Sequence, residues 1–504
     1  MNLATVIEMA GNGYGDRVAL VDGERELSYA RLLERVATRG GSLRERAERT
    51  GAGHVGYLGV AGAGFVEHML AAAWAGLPFV PLNYRTKPAE LAPLLDPFRP
   101  VLLAHDQRYR QQADACAGAG DRLVATDADT AAEENEHSPY ALDGERIAIV
   151  LHTSGTTSRP KAVLLRHRHL CSYIFGTVEF ASAGPDETAL VSVPTYHIAG
   201  VMGVLTPIYS GRRIVFLPQF DPEAWLATAQ LHAVTHAFVV PTMLARILDA
   251  LAASPALRPA ALRHIAYGGG PIHRAVVERA LSLLPEVDFV NAYGLTETSS
   301  TVALLGPDDH RRAMASSESH VRARLGSVGR PLPGVDVRIF GEDGREAAAG
   351  EVGAVTIAGA QVSAHYHGAD APPDRFATGD LGYLDDDGYL FIAGRSDDVI
   401  IRGGENISPG EIEDALARHP AVAAAAVVGV PDEEWGQRVV AFLEPRGDDR
   451  PDQDELHAFA RLSLAGFKVP EAFAFVDELP RTDTGKVLRN RLRSDYLDAV
   501  PGSG

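Results

Sequence analysis

Residues 54–82 read HVGYLGVAGAGFVEHMLAAAWAGLPFVPL. Glu67 and His68 interrupt this apolar stretch before it reaches the roughly 18 apolar residues that a membrane span needs. It divides instead into an apolar run at 54–60, a helical pattern at 64–75 and a second run at 78–82: strand, helix, strand. The same texture continues, with strands expected at 101–104, 147–152, 188–192, 213–217, 236–240, 263–267 and 288–291. Helices fall between, for example at 222–230 and 242–253. Such alternation predicts α/β layers built on largely parallel sheets. From about Val335 the pattern changes to short strands with Gly and Asp turns (GEDGRE, DDDGYLFIAG), expected to close the large domain as a barrel-like set of antiparallel hairpins. A third texture follows Asp397: a strand pair, a helix at 409–418, the run AVAAAAVVGV, a further strand and a C-terminal helix. A boundary near 394–398 therefore separates a large N-terminal domain of several subdomains, 1–396, from a small α+β domain, 397–504. Residues 118–137 are polar and read as an exposed loop.

The chain has 504 residues, enough for about three domain-sized units. Its 46% apolar and 22% charged residues exclude wholesale disorder. With 47 Lys+Arg against 66 Asp+Glu the formal charge is −19, a field that repels nucleic-acid backbones and anionic lipid. Cys116 and Cys171 stand alone without CxxC spacing, which fits a reducing compartment and neither a disulfide scaffold nor a zinc site. The first residues, MNLATVIEMA, lack a basic region and carry Glu8, unlike a secretory signal. A cytoplasmic protein with no integral membrane segment is expected, as monomer or homodimer. Only Lys87, Lys161, Lys468 and Lys486 among the basic residues are lysines. Sites that keep Lys in an Arg-biased chain are ones where a compact ammonium matters.

Four constellations look chemical. Residues 151–162, LHTSGTTSRPKA, follow an apolar strand with five hydroxyls, a glycine and Lys161, the groups that cradle a polyphosphate. The spacing is not a Walker motif, and a lone Ser/Thr/Gly stretch is more often a plain loop. NAYGLTE at 291–297 follows another strand: Glu297 is a hard ligand suited to Mg²⁺, Thr296 a hydroxyl, Tyr293 a face for a base. Upstream, Gly268–Gly270 would allow close backbone approach to a ligand. Asp380 in TGD at 378–380, with Arg395, is placed to take ribose hydroxyls, against the plain alternative of a hairpin turn and surface ion pair. PRTDTGK at 480–486 ends in Lys486, where the plain alternative is a solvated loop lysine.

Together, in this order and at these separations, the motifs resemble the adenylate-forming superfamily over essentially the full chain, in its acyl-CoA synthetase branch. The resemblance implies an ATP- and Mg²⁺-dependent ligase that converts a carboxylic acid to an acyl-adenylate and then, with coenzyme A, to a thioester. It implies that Thr153, Ser154, Gly155, Thr156, Thr157 and Lys161 surround the β and γ phosphates. Thr296 would meet the α-phosphate and Glu297 the metal. Tyr293, Asn291, Gly269 and Gly270 would flank the nucleotide base, and Asp380 and Arg395 the ribose. Lys486 matches the catalytic lysine and Asp397 the hinge about which a mobile C-terminal domain turns. Gly403 and Gly404, Trp435 and Phe467 match segments that face coenzyme A. His197 matches the gate of the acid pocket, whose walls would be Val239, Val240, Met243, Tyr267, Gly268, Leu295 and Thr298.

Ser158 and Ala162 stand where the family's phosphate loop has glycine, and Val469 and Glu471 where some CoA ligases have basic residues. The mostly apolar walls, with neither an Arg nor an acidic partner before Tyr293, favour an apolar monocarboxylate: fatty, aryl or bulky alicyclic. Small residues at 199, 200, 203 and 268–270 suggest room for bulk. The His-x-His pairs at 167/169 and 365/367 read as surface residues and not as a metal site. The rival readings are an acyl-AMP ligase that loads a carrier protein and a non-catalytic nucleotide-binding relative. Retention of Lys161, Glu297, Asp380 and Lys486 together weighs against the second.

Overall fold

A computed structural model describes every residue except 127–139, 154–159, 404, 433, 448, 483–484 and 500–504. The large domain is built on two open sheets. Six strands run in the order Arg122–Ala125, Val101–His105, His54–Leu58, Phe79–Pro81, Ile147–Thr153, Lys161–Arg166, all parallel except the last hairpin. Nine strands form the second sheet, whose parallel centre runs Asp288–Leu295, His264–Gly268, His236–Val239, Thr188–Val191, Arg213–Phe216, Val18–Asp22. The opening stretch forms strand His54–Leu58, helix Ala63–Ala75 and strand Phe79–Pro81. Within 118–137, expected as loop, Arg122–Ala125 is an edge strand. Asp121 is buried before it, where its carboxylate accepts from the Val101 and Gly118 amides and pairs with Arg99.

Helices Leu3–Tyr14, Tyr29–Thr50, Ala63–Ala75 and Ile198–Ser210 are sandwiched between the sheets in one apolar cluster. Helices Pro222–Leu231, Pro241–Ala253 and Arg274–Leu283 cover the outer face of the nine-stranded sheet. Beyond them, strands Val335–Phe340, Gly353–Gly359, Phe376–Leu384 and Leu390–Arg395 make a four-stranded antiparallel sheet, open among the described residues. From Ile400 onward the chain closes two apolar clusters of its own around strands Val422–Asp432, Gly436–Pro445 and Ala472–Phe475. No buried apolar cluster of described residues holds side chains from both sides of residues 396–398.

Parallel sheets bind ligands where successive connections leave in opposite directions, beyond the carboxyl ends of the strands. The six-stranded sheet has this switch between His54–Leu58 and Val101–His105. Its backbone donors are already taken by protein carboxylates: Asp106 accepts from the Val60 amide and Asp22 from the Ala63 amide, both at 2.9 Å, beside a cavity of about 220 Å³. In the nine-stranded sheet the switch lies between Thr188–Val191 and His236–Val239. The chain leaves these strands through 192–197 and 240–243, which carry His197, Val240, Thr242 and Met243. The crevice that topology leaves for a ligand is this second one.

Glycine roles divide sharply at its rim. A Cβ on Gly268 would overlap the Ala292 carbonyl, one on Gly200 the Pro194 carbonyl and one on Gly294 the Ser300 carbonyl. A Cβ on Gly270 meets nothing within 4 Å. Gly200 and Gly268 thus make room for protein backbone, and the space once ascribed to them belongs to Gly203, Gly269 and Gly270. Gly294→Ala is expected to lower the urea midpoint at unchanged slope, a stability loss of about 1–3 kcal/mol, because the clash is with backbone. Gly270→Ala should stay within about 0.5 kcal/mol. Equal midpoints for the two variants would contradict this division.

Candidate active site

The phosphate-loop motif lies on a hairpin. Strands Ile147–Thr153 and Lys161–Arg166 pair in antiparallel register down to Thr153 opposite Lys161. Ser154, Gly155, Thr156 and Thr157 lie outside the described residues. The Lys161 ammonium stands 5.5 Å from the ring centroid of Tyr366, within cation–π range. Tyr366 in turn donates its hydroxyl to Glu297 Oε1 at 2.8 Å. Burial, then the Glu297 charge, raises the Tyr366 pKa well above its ordinary value, so the phenol stays a donor. The Glu297 carbonyl accepts the Ser363 and Ala364 amides at 2.8 and 3.2 Å. Residues 363–367 also bridge back to the hairpin, through Ser363 Oγ to the Leu164 carbonyl and the Leu164 amide to the His365 carbonyl.

Tyr366 and Ser363 had no signal of their own in the sequence. Tyr366 stands between the two histidines of HYH, which drew attention away from it. Of the other His-x-His pair, His167 and His169 are buried and not on the surface. His167 Nδ1 accepts the Leu3 amide and His169 Nδ1 the Arg166 amide, so burial and these bonds keep both neutral. Among the described residues no three metal-ligating side chains cluster. Glu297 is buried, with Tyr366 as hydrogen-bond donor and no ion-pair partner among the described residues. A buried carboxylate in that condition fits one ligand of a hard divalent cation, the rest coming from phosphate and water.

The second node is Asp380, buried where strand Phe376–Leu384 pairs with Leu390–Arg395 in the register Asp380 opposite Arg395. Arg395 Nη1 donates to Asp380 Oδ1 at 3.0 Å and to the Thr378 carbonyl at 3.1 Å. The Tyr293 hydroxyl, arriving from the nine-stranded sheet, donates to Asp380 Oδ2 at 2.5 Å. Desolvation and then Asp380 push the Tyr293 pKa far up, so it too remains protonated. Each carboxylate oxygen keeps a lone pair for a further donor.

Lys486 comes to this node from the small domain. Its hairpin is tightened by the Thr482 amide donating to the Lys486 carbonyl and the Gly485 amide to the Thr482 carbonyl, both 2.8 Å. A Cβ on Gly485, at φ +78°, would stand 2.5 Å from Thr242 Oγ1, so the hairpin seats directly on the switch-point turn of the large domain. Lys486 is open at its surface yet crowded by protein. Desolvation, then Arg395, hold its pKa below the ordinary lysine value, while Asp398 and Asp380 oppose them. Lys161, Glu297, Asp380 and Lys486 thus belong to three connected groups around one crevice.

Several expected contacts differ. Asn291 is buried with its amide donated to the Ser327 carbonyl at 3.0 Å, which makes it a brace and not a base ligand. Thr298 has no exposed surface and spends its hydroxyl on the Leu295 and Ser300 carbonyls. Val239 and Tyr267 are fully buried on the helix-covered face, where Tyr267 meets His310 Nε2 at 2.8 Å. These three back the acid pocket and do not line it. Strand alternation explains the error, since neighbours in sequence face opposite sides. Leu295, His197 and Thr296 are half-buried at the rim.

On the small domain, Gly403 at φ +59° donates its amide to the Trp435 carbonyl at 2.8 Å, and a Cβ there would strike the indole. Arg402 joins this corner to the next one. Its Nη1 donates to the Phe467 carbonyl at 2.9 Å, it pairs with Glu471, and its guanidinium lies 5.8 Å from the Trp435 ring centroid. Trp435 and Phe467 are both exposed on that surface. Gly404 lies outside the described residues. Asp397 is exposed in the turn Ser396–Asp398, and the adjacent Asp398 pairs with Arg489, whose guanidinium also forks onto Glu413.

Among the described residues no helix is long and apolar enough to cross a membrane. Residues 7–367 match the family model described as AMP-binding enzyme, and residues 411–486 match the AMP-binding enzyme C-terminal domain. A feruloyl-CoA synthase from Amycolatopsis sp is 36% identical over 492 residues, 95% of this chain and 96% of that protein. A fatty acid–[acyl-carrier-protein] ligase, ScoC, from Streptomyces coeruleorubidus is 34% identical, covering 88% of this chain and 86% of that one. The o-succinylbenzoate CoA synthetase MenE from Bacillus subtilis, solved with the acyl-adenylate OSB-AMP, superposes with a TM-score of 0.83 at 27% identity, covering 97% of each chain. With a family model over most of its length and relatives matched nearly end to end, this chain belongs to the AMP-binding, adenylate-forming enzymes.

Proposed function

We propose that the protein is an AMP-forming acid–thiol ligase, an acyl-CoA synthetase for an apolar monocarboxylic acid, with an aryl-bearing acid favoured. The observation that carries this reading is the meeting of Lys486 with the Asp380–Arg395 node on the switch-point crevice. Similarity to a feruloyl-CoA synthase supports the choice of coenzyme A and of an aryl group. The partners are then the acid, ATP and coenzyme A. The working division is 1–396 for adenylation and 397–504 for the mobile domain, turning at Asp397.

In the first step a carboxylate oxygen of the acid attacks the α-phosphorus of ATP and pyrophosphate leaves. Bound Mg²⁺ neutralises phosphate charge in this step. Glu297, held by Tyr366, would be its protein ligand, and Lys161 with Thr153 would approach the outer phosphates. Asp380 has lone pairs left for the ribose hydroxyls, and Gly269 and Gly270 open the wall beside the base. The Lys486 ammonium faces the point where charge builds between carboxylate and α-phosphate. A pre-positioned donor of that kind is worth about 10²–10³ in rate. In the second step a thiolate attacks the acyl carbonyl, the C–O bond to AMP breaks, and AMP leaves with the electron pair. Gly403, Trp435 and Phe467 share one surface of the small domain that suits the pantetheine arm and adenine of coenzyme A. Val240, Met243 and Leu295 give the acid an apolar wall, and His197 stands at its mouth.

A second reading, delivery to a carrier protein, draws support from the likeness to ScoC. Pyrophosphate release screened over aliphatic, aryl and polycyclic acids, followed by product analysis with coenzyme A or a carrier protein, separates the two. A CoA thioester of an aryl acid is expected. Carrier loading without any CoA thioester would overturn the proposal. Lys486→Ala should cut pyrophosphate release at least about a hundredfold while ATP binding, followed calorimetrically, persists. Unchanged release would remove Lys486 from the reaction. Tyr366→Phe should raise the Mg²⁺ concentration needed for half-maximal rate several-fold at unchanged thermal stability. An unaltered Mg²⁺ dependence would detach Tyr366 from the metal site.

A further inference from the structure

Among the described residues, the small domain carries Lys486 to the large domain without a shared apolar core. Its orientation therefore depends on steric fit and on polar contacts between the two. Ser408 Oγ donates to the Ala393 carbonyl, but that contact lies beside the turn at 396–398 and has little lever arm. A second contact lies farther from the turn. His273, at the start of helix Arg274–Leu283, places Nδ1 2.7 Å from Asp414 Oδ1 on helix Pro409–Leu416. Neither residue belongs to the nucleotide, acid or coenzyme A groups described above.

We propose that His273 and Asp414 are positioning residues whose ion pair latches the small domain in the orientation that brings Lys486 to Asp380 and Arg395. The latch thereby sets how the enzyme divides its time between the adenylating orientation and the one that admits the thiol. The inference rests on the two-step reading, and it adds to that reading an element that governs the balance of the steps. The pair joins two rigid helices, one from each domain. It closes on the same side as the Gly485–Thr242 seat, so the two contacts form and break together.

The pair is partly exposed, with side chains 36% and 62% accessible, so its contribution is modest. Modest is sufficient here: a switch between two orientations that must both be visited is poised near balance, and a small bias redistributes them. The charged groups facing His273 are Asp414 and Glu413 on the opposing helix and Arg481 on the Lys486 hairpin, with Arg274 following on its own helix. Asp414, by its hydrogen bond, raises the His273 pKa, against desolvation and Arg481. The sign follows. The imidazolium is the pairing form, so the latch is fully engaged below the ordinary imidazole pKa of about 6.5 and is lost as pH rises through the raised value.

The test uses the full-length protein labelled at two introduced cysteines, Asp308→Cys on the large domain and Asp477→Cys on the small one. Both sites are exposed, while the native Cys116 and Cys171 are buried. Distances between the labels report the orientation without substrate, so this arm stands even if no acid is found to react. Asp414→Asn and His273→Gln should each lower the latched fraction about two- to fivefold, and Asp414→Glu should restore it. In turnover, pyrophosphate release should fall in the same ratio while thioester formation from supplied acyl-adenylate does not fall. The latched fraction of the unsubstituted labelled protein should decline with rising pH through the histidine range, and that of Asp414→Asn should be flat. Identical distance distributions in all four proteins, or a pH profile that Asp414→Asn leaves unchanged, would overturn the latch. A latch that behaves as described in a protein that activates no acid would overturn the enzymatic reading and leave the latch standing.

Discussion

The carboxylate of Asp380 is the point on which the rest of the site depends. Three separately built parts of the chain converge on it: Tyr293 from the nine-stranded sheet, Arg395 from the antiparallel sheet, and Lys486 from the small domain. A buried carboxylate costs several kcal/mol unless its charge is compensated. Arg395 compensates it from the neighbouring strand, in a register fixed by the hairpin itself, and Tyr293 adds a hydrogen bond across the subdomain boundary. Lys486 feels the net result. Desolvation and Arg395 outweigh Asp398 and Asp380 around it, and its pKa stays below the ordinary lysine value. An ammonium held that way keeps its charge available to a carboxylate and a phosphate arriving from outside.

Topology explains why the site lies on one sheet and not the other. Both sheets have a switch point, and both therefore offer backbone N–H groups beyond their strand ends. In the six-stranded sheet Asp22 and Asp106 accept those groups from Ala63 and Val60, so these two donors are satisfied internally. In the nine-stranded sheet the corresponding turns carry His197, Val240, Thr242 and Met243, and the Gly485 hairpin docks there. One sheet has become a support for the other. Four helices lie between them in a single apolar cluster, and the 147–166 hairpin is joined to Glu297 through Tyr366.

Most of the fold was legible in the sequence because a parallel sheet buried on both faces writes each strand as an unbroken apolar run. The unit at 54–82 and the strands at 147–153, 188–191, 213–216 and 236–239 follow that rule closely. Arg122–Ala125 was hidden because an edge strand needs little apolar surface, and Asp121 beside it looks like a loop residue until its buried bonds are seen. Among the charged motif residues, Asp380 and Arg395 pair directly and Lys486 lies near them, while Glu297 is held by Tyr366. Residues chosen by position alone fared worse. Asn291, Thr298, Val239 and Tyr267 sit within or beside the motifs but face inward, and a single sequence does not reveal which way a strand's side chains alternate. Tyr366 and His273 act on partners far away in the chain, Glu297 and Asp414, and no local pattern announces such pairs.

The separation of the two cores fits the two-step reading proposed above. Had the small domain buried apolar surface against the large one, each Å² would have added about 25 cal/mol to a single orientation. A few hundred Å² would then fix Lys486 in place for good, and the thiol would never reach the acyl-adenylate by the same face. Under that reading, contacts made of an exposed ion pair, a glycine seat and a hinge-side hydrogen bond would be weak enough to be exchanged once per turnover. The small domain instead takes its stability from within, through the Val422–Asp432 and Gly436–Pro445 strands and the Arg489 fork onto Asp398 and Glu413. That fork ties Asp398 to the body of the small domain, which leaves Asp397, the proposed hinge, just outside the tie. Under the two-step reading proposed above, a lysine on a body with its own core, a short pivot and a polar interface would let one chain present two different faces to one crevice.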